Sequence, residues 1–320
     1  MTDPASDRPI DLLVVGAGSR GLFAALAARR ATPNAHVVVV EALPQPGGSL
    51  RTQRSNGFAC ELGAFAYARE ELDPLLELLA QAPIPLEALA SGRTGWSWDG
   101  TALAPVEVAA TPWSFRSGNE ELAQACRREL GPALRLGRAV VAVRAQVGGF
   151  EVDLAGEVPT TLHTRELHLC TPTDVAARLL GALDPGFVAA ERIRREPRAF
   201  VFFGGYQRDL PALTGYGVLP VAGEDHVLAE AIFCSHVFPG RALPGQLLVR
   251  LEVHGTTLDG DDAAVLQAAL AELRRWTGCG DRFGFTKVHR FTEEVGDGAL
   301  VECRARLRGL TARVPGLRWR

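Results

Sequence analysis

The chain has no apolar run long enough to cross a bilayer as a helix, which takes about 20 consecutive residues, so no integral membrane segment is expected. Its opening stretch, MTDPASDRPI, is polar and lacks the apolar core of a secretion signal; a cytoplasmic location is expected. The cysteines Cys60, Cys126, Cys170, Cys234, Cys279 and Cys303 lie far apart and form no C-x-x-C pair. They read as reduced, buried thiols rather than as a disulfide frame. The histidines show no ligand spacing, and no metal is expected; His163 and His168 flank a strand-like stretch and read as structural or exposed. Aromatic residues make up only 7% of the chain and are not interleaved with basic ones, which excludes a base-stacking platform. A net charge of −3 removes any general attraction to nucleic acid.

What is present is an ordinary globular composition, 47% hydrophobic and 22% charged, over 320 residues. That is enough for one large or two medium domains with a sizeable core. No internal repeat or low-complexity tract interrupts it.

The densest information lies in Asp11–Thr52. Leu12–Val15 is a short apolar run, as a buried strand requires, and Gly16, Gly18 and Gly21 follow in G-x-G-x-x-G spacing. Leu22–Arg30 is Ala-rich and predicts a helix; His36–Val40 predicts a second buried strand, with Glu41 at its end. This order is that of a dinucleotide-binding βαβ unit. Gly16 permits the tight turn, Gly18 lets backbone approach a pyrophosphate, and Gly21 lets the helix pack closely on the sheet. The helix N-terminus offers free N–H groups and a partial positive charge to phosphates. Glu41 is placed to accept hydrogen bonds from ribose hydroxyls.

Further along, Glu70–Ala80 predicts an amphipathic helix with Leu72, Leu75, Leu76 and Leu79 on one face, stopped by Pro83 and Pro85. Gly95–Ala104 reads as a hairpin around Asp99-Gly100, with Trp96 and Trp98 on one face as packing residues. Glu120–Leu130 predicts a helix. Leu134–Arg144 and Gly149–Leu154 predict antiparallel strands, and Leu167–Cys170 a buried strand before the Thr171-Pro172 step. From Glu196 the pattern shifts to strands over Ala199–Tyr206, Val227–Phe233 and Gln246–Val253, then a helix over Ala263–Trp276. The basic cluster Glu191–Arg198 reads as a solvated face, with an anion site as the alternative.

The segment after Glu41, with Gly47-Gly48 and then Arg51-Thr52, resembles the E-A-x-x-R-x-G-G-x-x-R-T motif of the FAD-dependent amine oxidase superfamily. Phe58–Gly63 resembles the F-x-x-E-L-G strand that follows it there. The sequence departs from the motif at Gln45, where the family usually has Arg, at Ser49, and at Arg20 inside the glycine turn. The resemblance implies that Gly47, Gly48 and Arg51 cradle the FAD diphosphate and that Gly63 continues toward the flavin. It also implies that the Val140 backbone meets the adenine and that Thr171 sits beside the cofactor. The implied fold class is α/β: a Rossmann-like FAD/NAD(P)-binding domain with a second, sheet-rich α+β substrate domain. The expected division is 1–66, 112–190 and 289–320 for the first, and 67–111 and 191–288 for the second.

Within the superfamily, Thr214–Val218, Phe233–Arg241 with Pro244-Gly245, and Ser114–Leu122 resemble the protoporphyrinogen oxidase family. Arg241 either braces its loop or faces a substrate carboxylate. About 45 residues stand where that family has a helical substrate- and membrane-binding insertion, and Arg320 follows closely on Pro315-Gly316-Leu317, where the family continues into a closing turn. An open flavin face is therefore expected, with a partner subunit or second copy as one way to complete it. The arginines at 304, 306, 308, 313, 318 and 320 read as an ordinary helix and strand, or as an anion-binding tail. The family activity implied is hydride removal from a bulky reduced small molecule such as a porphyrinogen to flavin N5, with oxygen as acceptor. Two other readings stay open: a flavin-binding relative without turnover, and an oxidase of an amine or a polyene. No catalytic side chain is singled out.

Overall fold

The computed structural model describes residues 9–80, 88–156, 160–209, 214–221 and 226–320. In chain order the elements begin with β1 (Ile10–Val15), α1 (Ser19–Ala31), β2 (Val37–Val40), β3 (Thr52–Ser55) and β4 (Phe58–Glu61). Next come α2 (Arg69–Leu78), β5 (Ala88–Ala90), β6 (Thr94–Trp98), β7 (Leu103–Glu107), β8 (Trp113–Phe115), α3 (Glu120–Leu130) and β9 (Leu134–Arg135). They are followed by β10 (Val140–Gln146), β11 (Gly149–Leu154), β12 (Thr160–Leu169), α4 (Thr173–Leu179), β13 (Arg195–Tyr206) and β14 (Gly217–Pro220). The rest are β15 (Leu228–Ile232), α5 (Cys234–Val237), β16 (Gln246–Val253), α6 (Asp262–Thr277), β17 (Phe283–Glu294), α7 (Gly298–Arg313) and β18 (Leu317–Trp319). Pro83 and Pro85, expected to stop α2, lie outside the described residues.

β1 is apolar on both faces because it lies between two cores, the usual fate of a covered parallel strand. Leu13 and Val15 enter one core with α4, α7 and β11; Leu12 and Val14 enter the other with α1, α2 and α3. The first sheet runs β10-β11-β12-β1-β2-β9, with β18 also paired to β12. β1 is parallel to β2 (Leu12 opposite Val37) and to β12 (Leu13 opposite Leu167). The second sheet runs β17-β13-β16-β15-β14-β6-β7. One face packs on α6 through Val201, Phe203, Val249 and Leu273; the other meets the β3–β4 ribbon through Phe58, Cys60, Phe200 and Phe202. Trp98 is buried and Trp96 half-buried in the α6 core, on the β6–β7 hairpin.

Three details depart from the sequence reading. The strand expected over 134–144 is two strands: β9 pairs with β2 and β10 with β11, toward opposite ends of the sheet. Gly137 breaks it, at φ +65 with its N–H bonded to the Leu43 carbonyl. Residues of α2 pack into the α1 core rather than with the second sheet, since Leu72 and Leu75 meet the first unit's apolar face. β17 pairs with β13 along Phe283–Glu294, so a division at 288 falls inside a strand.

Part of each basic stretch is paired. Arg195 lies 2.7 Å from Asp174, Arg198 3.4 Å from Glu293 and Arg192 3.4 Å from Glu302. On α7, Arg304 meets Glu294 at 3.3 Å and Arg306 meets Asp184 at 2.8 Å. The α7 pairs tie that helix to β17 and to Asp184 beyond α4. Exposed pairs of this kind contribute little each.

His163 is exposed beside Glu151, whereas His168 is buried on β12 opposite Val14 and Arg318. Burial, then Arg320 and Arg318, pull its pKa down to about 4. An unfolded imidazole takes its proton near pH 6.5. Between these values the unfolded state binds more protons, so stability falls as pH drops from 6.5 to 4 and this loss levels off below. The folded state should lose about 3 kcal/mol through this group. Denaturant titrations of wild type and His168→Gln across this range check it: the variant should lack that part of the slope.

Candidate functional site

The glycine turn leaves β1 with no room for side chains. A Cβ on Gly16, at φ +97, would stand 2.6 Å from the Cys170 carbonyl oxygen, and one on Gly21 would stand 1.9 Å from the Gly16 carbonyl oxygen. Gly18 differs: nothing lies within 4 Å of where its Cβ would be, so the backbone there faces open space. It is the N-cap of α1, which has no acidic residue in its first turn and no side-chain cap. The helix N-terminus therefore keeps its N–H donors and partial positive charge for an outside anion.

Glu41 comes back to this turn. Its Oε2 accepts from the Ala17 N–H at 2.7 Å and its Oε1 from the Leu43 N–H at 2.9 Å. The paired glycines arrive at the same place: the Gly47 N–H donates to the Ala17 carbonyl at 2.7 Å, Gly47 bridges Gly18, and a Cβ on Gly48 would lie 3.2 Å from Gly18 Cα. Gly63 presses on the same segment, since its Cβ would be 2.0 Å from the Ser49 carbonyl oxygen. The Leu62 N–H donates to the Arg51 carbonyl at 2.8 Å. Thr171 Cγ2 lies 3.5 Å from the Gly16 Cβ position, and Thr171 Oγ1 is buried without a hydrogen-bond partner. Val140 follows a loop whose Gly137 and Arg138 N–H groups bond the Leu43 and Glu41 carbonyls. So Gly16, Gly18, Gly21, Glu41, Gly47, Gly48 and Thr171 gather at one turn. Gly63 and Arg51 continue from it, and Val140 begins the strand beyond Glu41.

These features fit a dinucleotide: an open backbone cradle, free helix donors, an acidic side chain at the end of the second strand, and an orphaned hydroxyl. The departures from the motif lie at its rim. Arg20 is exposed in the first turn of α1, beside an apolar cleft of about 480 Å³ lined by Phe23, Pro74, Leu75 and Arg320. Gln45 lines a polar cleft of about 340 Å³ with Leu50, Arg51, Thr52 and Arg54.

Next to the cradle is a buried polar network that the sequence did not reveal as a unit. Arg241 is wholly buried, 3.1 Å from Glu61 Oε1, and donates to Ser114 Oγ at 2.6 Å and to the Phe115 carbonyl at 3.1 Å. Glu61 also accepts from Thr52 Oγ1 at 2.8 Å and from the Asn119 N–H at 3.1 Å. Burial pushes the Glu61 carboxyl above its ordinary value, while Arg241 and then Thr52 pull it back. Arg241 thus braces its loop, the first of its two readings. The thiols of Cys60 and Cys234, pushed up to about 12 by burial, lie in the adjoining core.

A second unread feature is compositional. Of 34 Lys and Arg residues only Lys287 is a lysine, and it stands on β17 opposite Phe202. Counting the two residue types separately was the signal for it.

Residues 14–82 match the family of NAD(P)-binding Rossmann-like domains. The whole chain is similar in structure to a protein of Exiguobacterium sp. 255-15 provisionally assigned as a protoporphyrinogen oxidase, with a TM-score of 0.78 and 15% identity, over 98% of this chain and 93% of that one. It is similar to reduced UDP-galactopyranose mutase, with a TM-score of 0.75 and 14% identity over 97% and 88% of the two chains. It is also similar to cyclohexylamine oxidase of Brevibacterium oxydans IH-35A, with a TM-score of 0.73 and 12% identity over 98% and 93%. At these identities the likeness shows a shared fold: a Rossmann-like unit with a second, sheet-rich one.

Proposed function

We propose that this chain is a flavin-dependent oxidoreductase that holds FAD along the glycine turn and the Gly47–Gly63 segment. The observation that carries the reading is the convergence of Gly16, Gly18, Glu41, Gly47 and Gly48 on one open turn at the start of α1. The N-terminus of α1 and the Gly18 backbone would take the diphosphate. Gly47, Gly48 and Arg51 would close its other side, Glu41 would bind the adenosine ribose, and the Val140 backbone would meet the adenine. Thr171 Oγ1, lacking a partner, would donate to the cofactor. When bound, FAD supplies the hydride acceptor at N5. The chain's part is to hold the cofactor and present a substrate against the face of the second sheet that carries the half-buried His289 and Phe291.

A bulky reduced molecule of the porphyrinogen class, with oxygen as final acceptor, is the first substrate to test. The structural likeness to the Exiguobacterium protein supports it, as does the Phe238-Pro239-Gly240-Arg241 segment. A flavin binder without turnover is the second reading. It rests on residues 69–107, which form one helix and short strands among the described residues rather than a multi-helix lid.

Protein purified and incubated with excess FAD should show flavin absorbance after desalting. Failure to retain flavin under any condition overturns the cofactor assignment. Anaerobic addition of a porphyrinogen should then bleach the flavin bands; retained flavin that no porphyrinogen, amine or polyene bleaches selects the passive binder.

A further inference from the structure

Every basic position of this chain but one is arginine, so the exception calls for a chemical reason. Lysine offers a compact, strongly hydrated ammonium on a flexible stem, where arginine offers a planar fork suited to fixed bidentate pairs. The arginines around Lys287 each have an acidic partner. Arg290 pairs with Asp262 at 2.8 Å, Arg198 with Glu293 at 3.4 Å, and Arg250 lies 3.7 Å from Glu230 and donates to the Gly63 carbonyl. Lys287 makes no ion pair or hydrogen bond among the described residues, although it is half-buried.

Its surroundings are aromatic. Along β17, Phe285, Lys287, His289 and Phe291 alternate onto one face, while Val288 enters the α6 core on the other. Phe285 stacks on Phe58 at 4.9 Å, Phe291 lies 4.5 Å from Phe200, and His289 lies 6.4 Å from Phe200. That face meets the β3–β4 ribbon, whose preceding residue is Arg51. Arg51 likewise makes no side-chain ion pair or hydrogen bond among the described residues. Burial first, then Arg51 and Lys287, hold the His289 imidazole below its ordinary value. Lys287 and Arg51 thus both add positive potential at His289. A half-buried cation without a counter-ion is costly, and a bound anion removes that cost.

We propose that Lys287 is the anion-recognition residue of the substrate face: it takes the carboxylate of an apolar ligand whose body rests beside the half-buried His289 and Phe291. Lys287 acts by binding and orienting, and no covalent step is assigned to it. Naming that ligand as the substrate rests on the flavin-dependent reading above; the anion site itself does not.

A chain with one lysine provides its own probe. Protein grown on lysine labelled with ¹⁵N at Nζ carries a single labelled ammonium. Benzoate should shift its resonance saturably, and benzyl alcohol at equal concentration and ionic strength should not. Lys287→Met should weaken benzoate binding by calorimetry about tenfold or more, the loss of one charge-assisted contact, with an unchanged circular dichroism spectrum. Lys287→Arg keeps the charge without the compact ammonium and should bind benzoate between wild type and Lys287→Met. A resonance that ignores benzoate, or moves equally with benzyl alcohol, overturns the proposal, as does unaltered affinity in Lys287→Met. Flavin absorbance read on the same samples separates the two ideas. Retained flavin with a flat lysine signal removes the anion site alone. Benzoate binding in protein that never takes up flavin removes the cofactor reading and leaves the anion site.

Discussion

Arg241→Met should cost the fold about 3–5 kcal/mol, the usual range for breaking one side of a buried ion pair. The guanidinium is fully buried and lies 3.1 Å from Glu61, itself 2% exposed. Methionine fills much of the volume but leaves the Glu61 carboxylate facing only Thr52 Oγ1 and the Asn119 N–H. It also removes the Arg241 hydrogen bonds to Ser114 Oγ and the Phe115 carbonyl, which keep only their bonds to Asn119 Oδ1 and the Gly118 N–H. The damage should be specific to the unpaired charge. Arg241→Met combined with Glu61→Gln, which is neutral and can still accept from Thr52, should recover part of the loss. Urea unfolding of Arg241→Met, Glu61→Gln, the double variant and wild type decides this. If the double variant is as unstable as the sum of its parts, the pair carries no coupling, and Arg241 acts through packing alone. The network joins β4, β8 and the loop after α5, so its loss should also disorder the segment that carries Gly63 and weaken flavin retention.

The reach of the sequence followed the nature of each constraint. The glycine turn was readable because its demands are local and backbone-borne: Gly16 and Gly21 sit where any Cβ would strike a carbonyl, and their spacing is written in the chain. Glu41 was readable for a related reason, since strand length places it at the turn. The pairing of Glu61 with Arg241 was not readable. Each residue fell in a separate motif, and nothing local specifies that a loop after α5 must fold back onto β4. The same holds for Lys287, whose meaning depends on the strand facing it across the sheet and on Arg51 arriving from another unit. The run Leu134–Arg144 was misread as one strand because its alternation is continuous, although Gly137 turns the chain between two partners. The apolar stripe of α2 announced burial but not which core would receive it.

Gly21→Val and Glu41→Ala should separate the folding role of the turn from its binding role, though less cleanly than spacing alone suggests. A Cβ at Gly21 would lie 1.9 Å from the Gly16 carbonyl oxygen and 3.3 Å from Cys170 Cβ, so neither backbone nor neighbour can yield without moving α1 off the sheet. The cost should exceed about 3 kcal/mol, above ordinary overpacking because a backbone atom is struck. Glu41→Ala creates no clash. Yet the structure gives Glu41 a second task, since its two oxygens hold the Ala17 and Leu43 N–H groups. Removing it should cost about 1–3 kcal/mol, the price of leaving half-covered donors unmet, and should weaken FAD binding by about 10- to 100-fold through the lost ribose contact. Denaturant unfolding without cofactor, followed by FAD titration of whatever remains folded, tests both. Equal destabilisation by the two variants would show that Glu41 serves the turn's structure as much as Gly21 does. Unchanged FAD affinity in Glu41→Ala would take the ribose role away from it.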